Sequence, residues 1–135
     1  MFEHKHKLRI YYADTDAIGI VYHANYLRFF ESARTEYLRK CGISLPKLLD
    51  EHGVQFAVVK IDVRYLKSAR LDDLLTVISK VSHIGQASVH YIQEIFRNNS
   101  TELLCTAQVK LAVIDKQMRP TAIPDVLKKG ILHDH

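Results

Sequence analysis

One long amphipathic segment stands between a single strand-like run and a series of others, and that order leaves few folds open. Across residues 24–41, Tyr26, Leu27, Phe29, Phe30, Ala33, Tyr37, Leu38 and Cys41 fall on one broad stripe at the helical period. Gly42 suits the position just past the helix end. Before this helix, residues 2–12 alternate, with Leu8, Ile10 and Tyr12 on one face, which predicts a first strand. After it, Ser44 and Pro46 open a short helix running to about His52, closed by Gly53. Val59, Ile61, Val63 and Tyr65 then alternate with polar neighbours as a half-buried strand. Three more strands are expected, opening at Leu75, spanning 87–97, and carrying Cys105, Ala107, Val109, Leu111 and Val113 on one face. Turn signals at 70–73, Gly85-Gln86, Asn98-Asn99-Ser100 and 115–120 separate them. Residues 124–131 predict a short last helix, and His133-Asp134-His135 a frayed end.

Consecutive strands joined by short turns imply an antiparallel sheet. One long helix covers only one face of it, so the expected class is α+β, with a five-stranded antiparallel sheet curled around one long central helix. A chain of 135 residues fits one domain, 1–135, and buries roughly two-thirds of its unfolded surface. Five strands leave edges, and one protomer has little room for a deep pocket, so a dimer or higher oligomer is expected. Within the helix, Arg34 falls inside the apolar stripe and needs a partner. Glu31, one turn earlier, is the nearest candidate, and Glu36 with Lys40 forms an i,i+4 pair.

Composition narrows the class further. Hydrophobic content of 47% and charged content of 25% are ordinary for a soluble globule. No apolar run approaches the ~18 residues that span a bilayer, and residues 1–7 lack the apolar core of a signal peptide. A cytoplasmic protein is therefore expected. Cys41 and Cys105 lie in apolar patterns and read as core thiols. The net charge of +4 comes without the basic, aromatic-interleaved pattern of a nucleic-acid binder.

The chemistry concentrates in residues 14–26. Asp14 and Asp16 flank Thr15, Gly19 marks a flexible point, and His23 precedes the helix. A carboxylate that faces a helix start is placed for carbonyl hydrolysis, because unpaired backbone N–H groups and the positive dipole end stabilise a developing oxyanion. An aspartate in water is ionised at neutral pH and acts as a nucleophile or as a general base on water; both stay open. The His23 side chain either bonds the substrate, holds Asp16, or caps the helix. No G-x-S-x-G elbow appears, which excludes a serine triad of that type. Asp14, Asp16 and His23 match no zinc spacing, so no metal is expected.

The order D-x-D-x-x-G-x-V-Y-H-x-N-Y, followed by an aromatic helix containing arginine, resembles the 4-hydroxybenzoyl-CoA thioesterase family of hotdog-fold enzymes. Within that family it is similar to small bacterial acyl-CoA thioesterases associated with the Tol–Pal envelope system. The resemblance implies a hotdog fold with sites between subunits, an acyl-CoA thioester substrate, and no cofactor beyond the coenzyme A of the substrate. It puts the catalytic carboxylate at Asp16, with the thioester carbonyl approaching a backbone N–H at His23. Tyr22, Asn25, Tyr26 and Gly19 follow the pattern as candidate substrate-contact residues. Coenzyme A phosphates need basic groups, for which Lys60, Arg64, Lys67 and Lys80 are the candidates, with Lys116 and Arg119 behind them. Two other functions fit the same residues. A hotdog dehydratase would use Glu31, although His23 lacks the flanking proline of those relatives. A non-catalytic binder of acyl thioesters or acyl carrier protein would use the mild positive charge.

Overall fold

The computed structural model describes residues 2–98 and 100–133. Strand β1 (Glu3–Arg9) leads through a 3-10 turn (Tyr12–Asp14) and a loop to helix α1 (Asn25–Lys40). Helix α2 (Leu45–His52), strands β2 (Gln55–Tyr65), β3 (Leu74–Ile84), β4 (Ser88–Arg97) and β5 (Leu103–Ile114), and helix α3 (Asp125–Leu132) follow. The strands form one sheet ordered β1-β3-β4-β5-β2, and every neighbouring pair is antiparallel. Asn99, at the middle of the expected 98–100 turn, lies outside the described residues, as do Asp134 and His135 of the expected frayed end.

Helix α1 forms where its stripe predicts. Phe29, Phe30, Ala33, Tyr37 and Leu38 enter one core with Leu75, Val77, Val89 and Ile95 of the sheet. Burying each large apolar side chain contributes roughly 1.5–3 kcal/mol, which fixes the face the helix presents. Gly42 follows at φ +80, the left-handed conformation that stops a helix. The Ser44 hydroxyl accepts the Lys47 amide at 3.5 Å and caps α2.

Several local expectations give way. The first strand ends at Arg9. Ile10 stays buried, but Tyr11 and Tyr12 are exposed because the Asp14 carboxylate accepts the Tyr11 amide at 2.8 Å and turns the chain. The alternation of β2 is broken by a bulge at Val59 between Val58 and Lys60. Val59 and Tyr65 are exposed rather than inward, because β2 is an edge strand with a partner on one side only. Arg34 does not bond Glu31. Its Nη1 donates to Gln93 Oε1 at 3.0 Å, and Gln93 Nε2 donates to the Phe30 carbonyl and to Ser79 Oγ, both at 2.9 Å. Glu36 pairs with Arg39 instead of Lys40.

Cross-strand register sets the charge of the outer sheet face. Lys60 stands opposite Lys110, Lys110 opposite His90, and His90 opposite His83, with the two imidazole rings 5.1 Å apart. Directly paired residues share a face. Lys5, Lys7 and Arg9 of β1, Lys80 of β3 and Arg64 of β2 join the same face, against Glu3, Asp62 and Glu94. Cys41 and Cys105 are buried free thiols. Among the described residues no helix is long and apolar enough to cross a membrane.

Candidate active site

The loop after β1 is a tight, well-bonded hairpin. Thr15 bridges Val21, and Ile20 bridges Arg70. The Asp16 amide donates to the Ile20 carbonyl at 2.9 Å, and the Gly19 amide to the Asp16 carbonyl at 3.1 Å. Gly19 sits at φ +81, which a side chain at that position would resist. Val21 donates to the Ala69 carbonyl at 2.9 Å, which fastens the loop to the segment between β2 and β3.

The two aspartates have different work. Asp14 is 6% exposed. Its carboxylate accepts the Tyr11 amide and pairs with Arg28. Its carbonyl accepts Asn25 Nδ2 at 2.9 Å and the Tyr22 amide at 3.2 Å. It therefore ties strand end, loop and helix start together. Among the described residues the Asp16 side chain accepts only the Ile18 amide, at 3.0 Å. It is exposed and lines a cleft of about 230 Å³ together with Tyr22, His23, Tyr26, Tyr65 and Lys67.

The helix start is not the open amide cluster that the sequence suggests. No side chain caps it at Ala24. The amides of Asn25, Tyr26 and Leu27 already donate to the carbonyls of Tyr22, His23 and Ala24, at 2.9, 3.3 and 3.2 Å. The amides of His23 and Ala24 have no hydrogen-bond partner among the described residues. Of these two residues, His23 lines the cleft. The donors available to an oxyanion thus lie just before the helix, where its positive dipole end still acts.

The remaining expected residues divide. Tyr22 stacks at a tilt on His23, with centroids 4.5 Å apart, and Tyr65 meets His23 edge-on at 6.1 Å. Tyr26 lines the cleft, but its hydroxyl accepts the Ala69 amide at 2.9 Å, and burial pushes the phenol above its ordinary pKa. Asn25 and Gly19 lie outside the cleft lining; one braces the Asp14 carbonyl and the other makes the turn. Lys67 reaches the cleft and also lies 3.7 Å from Glu102. Lys60, Arg64 and Lys80 stand on the outer sheet face, away from it. Arg119 pairs with Asp115 at 3.6 Å. Tyr65, Leu66 and Ser68 were not anticipated in the lining, nor Arg28 as the partner of Asp14. Only the aromatic at 65, on the exposed end of an edge strand, left a trace in the sequence.

A second, larger hollow of about 940 Å³ runs between α1, α2 and β2. Ala24 at the helix cap and Leu27, Glu31, Arg34 and Leu38 of α1 line it at i,i+3/i+4 spacing, opposite Phe56 and Val58 of β2. It begins one residue from His23.

A five-stranded antiparallel sheet with its helices, in this arrangement, is a hotdog-like thioesterase fold. The chain belongs to the thioesterase-like superfamily, whose family model matches residues 11–131. It is 44% identical over 127 residues to the acyl-CoA thioesterase YbgC of Haemophilus influenzae, covering 93% of this chain and 92% of that protein. It is 42% identical over 118 residues to the acyl-CoA thioester hydrolase YbgC of Escherichia coli, covering 87% of each. A probable thioesterase from Bartonella henselae superimposes with a TM-score of 0.86 at 35% identity, over 91% of this chain and 100% of that one. A 4-hydroxybenzoyl-CoA thioesterase variant solved with 4-hydroxybenzoyl-CoA shares the fold, with a TM-score of 0.88 at 20% identity over 96% and 98% of the two chains.

Proposed function

We propose that this chain is a single-domain acyl-CoA thioesterase that uses Asp16 as its catalytic carboxylate. The observation that carries the reading is the cleft in which Asp16 meets His23 beside an uncommitted His23 amide. The Asp14 carboxylate is already bonded to Tyr11 and Arg28, whereas that of Asp16 accepts one amide only. In one route the Asp16 carboxylate attacks the thioester carbonyl, the C–S bond breaks, and coenzyme A leaves as a thiolate that takes a proton from water. Water then cleaves the acyl–aspartyl anhydride and returns the carboxylate. In the other, Asp16 takes a proton from water as that water attacks, and the proton passes to the leaving thiolate. In both, the His23 amide receives the oxyanion, and removing such a donor typically costs roughly 10²–10³ in rate. The groups named are the chain's own, and coenzyme A enters as part of the substrate.

The sheet wraps α1 as in a hotdog protomer, and two or four protomers assemble. Support comes from the open edge of β2, where Val58 and Val59 are 55% and 56% exposed beside the large groove. The connection to the Tol–Pal system rests on the motif resemblance of residues 14–34, and the cytoplasmic setting on the want of a bilayer-length apolar run and of a signal-like apolar core in residues 1–7. Asp16→Asn tests the chemistry. Asparagine still accepts the Ile18 amide, so the melting temperature stays within a degree or so of wild type. Thiol release from acyl-CoA falls by about 10²–10⁴. Near-wild-type turnover would remove Asp16 from the mechanism.

A further inference from the structure

The large groove is apolar along its walls and polar at one place in its lining. Leu27, Leu38, Phe56 and Val58 contribute the walls. Arg34 and Tyr91 line the same groove. Arg34 is 7% exposed, and among the described residues its side chain makes one hydrogen bond, to Gln93 Oε1. A guanidinium has five N–H donors, so one bond leaves most of them without a partner among those residues. Tyr91 is 1% exposed, and its hydroxyl has no hydrogen-bond partner among the described residues. Burial pulls the Arg34 pKa down and pushes that of Tyr91 up, and the two residues line the one groove. A buried hydroxyl without a partner is costly, and a buried cation without compensation more so. Such a pair is suited to a ligand that brings an oxygen acceptor to it.

Its position along the helix defines where that oxygen lies. Arg34 stands ten residues beyond Ala24, where the groove begins, so at 1.5 Å per residue the two are roughly 15 Å apart along the α1 axis. His23 of the cleft and Ala24 of the groove are adjacent in the chain, so an acyl chain entering the groove from a thioester beside His23 has the apolar walls ahead of it and Arg34 and Tyr91 beyond them. We propose that Arg34 and Tyr91 form a specificity site for acyl groups that carry an oxygen acceptor, as hydroxyl or carboxylate, at the end remote from the thioester. This rests on the thioesterase reading, but it concerns substrate choice rather than chemistry. Glu31, on the same groove, supplies the acceptor that a terminal hydroxyl needs for its own proton.

The test measures binding separately from turnover. Non-hydrolysable alkyl-CoA thioethers of graded chain length, each plain, ω-hydroxylated or ω-carboxylated, are titrated calorimetrically into the intact protein. At the length that spans the groove, the oxygenated thioether binds about tenfold or more tighter than its plain counterpart. Tyr91→Phe keeps the ring and removes the donor; it cuts that ratio three- to tenfold and leaves plain chains unaffected. Arg34→Lys, which keeps charge but not the fork, lowers the ratio in the same sense. Equal affinity for plain and oxygenated chains at every length overturns the proposal, whether the partner copy fills the site or nothing does. An unchanged ratio in Tyr91→Phe overturns it too. Absence of acyl-CoA hydrolysis would sink the thioesterase reading while leaving the thioether ratios to decide this one.

Discussion

Replacing Asp14 by asparagine separates scaffold from chemistry within the D-x-D motif. The wild-type carboxylate has two strong partners, the Tyr11 amide at 2.8 Å and the Arg28 guanidinium. Asparagine keeps one acceptor oxygen, which stays with the part-buried Tyr11 amide as a neutral bond. Its NH₂ group then faces Arg28, donor against donor. Hydrogen bonds to charged groups contribute about 1.5–3 kcal/mol and neutral ones about 0.5–1.5, so weakening the Tyr11 bond costs about 1 kcal/mol. The Arg28 side chain is 56% exposed and turns to water, which limits its share to less than about 1 kcal/mol. The total of about 1–2 kcal/mol lowers the melting temperature by roughly 3–8 °C for a chain of this length. The Asp14 carbonyl still holds Asn25 and Tyr22, so the cleft keeps its shape and kcat/KM falls less than about tenfold. Differential scanning calorimetry and a thiol-release assay on the same sample check both numbers. An Asp14→Asn protein that melts with wild type refutes the bracing role. One that melts normally but has lost hydrolysis moves the chemistry to the wrong aspartate.

Three further outcomes follow from the same structure. Burial pushes the Cys41 thiol up to about 11 and the Cys105 thiol up to about 12, so both stay silent toward a thiol-specific chromophore until denaturant is added; prompt labelling of the native protein would contradict their placement. Desolvation, then His83 and Lys110, hold His90 below its ordinary value of 6.5. The folded state therefore binds fewer protons there, and this stability is full above 6.5 and lost as pH falls through it. Melting curves of His90→Gln should fall less steeply than wild type between neutral pH and about 5, and parallel curves would count against it. Val59→Lys puts a charge on the open β2 edge and should shift the oligomer toward monomer in size-exclusion chromatography; an unchanged elution volume would place the contact elsewhere.

Much of this was legible from periodicity, and the failures share a cause. The α1 stripe, the Ser44 cap and the inward face of β5 each depend on neighbours close in sequence, and each stands where it is expected. The partner of Arg34 lies on β4, at Gln93, and that of Asp14 on α1, at Arg28. Neither distance along the chain nor residue type singles them out. The bulge at Val59 and the exposure of Tyr65 follow from β2 being the sheet's last strand, a matter of topology that alternation alone does not encode. Asp16 and His23 were readable because the hairpin that joins them is local. Ser68 was not, and Tyr65 barely so, because they reach the cleft from the end of β2 and the segment that follows it.

The outer sheet face has a consequence for how copies of this molecule can be arranged. Lysines, arginines and paired imidazoles crowd it with few carboxylates between them. Laying two such faces against each other would strip water from more cations than Glu3, Asp62 and Glu94 can pair. Back-to-back stacking is therefore self-excluding at low ionic strength, and any assembly beyond one protomer must grow from the strand edge or the helical side.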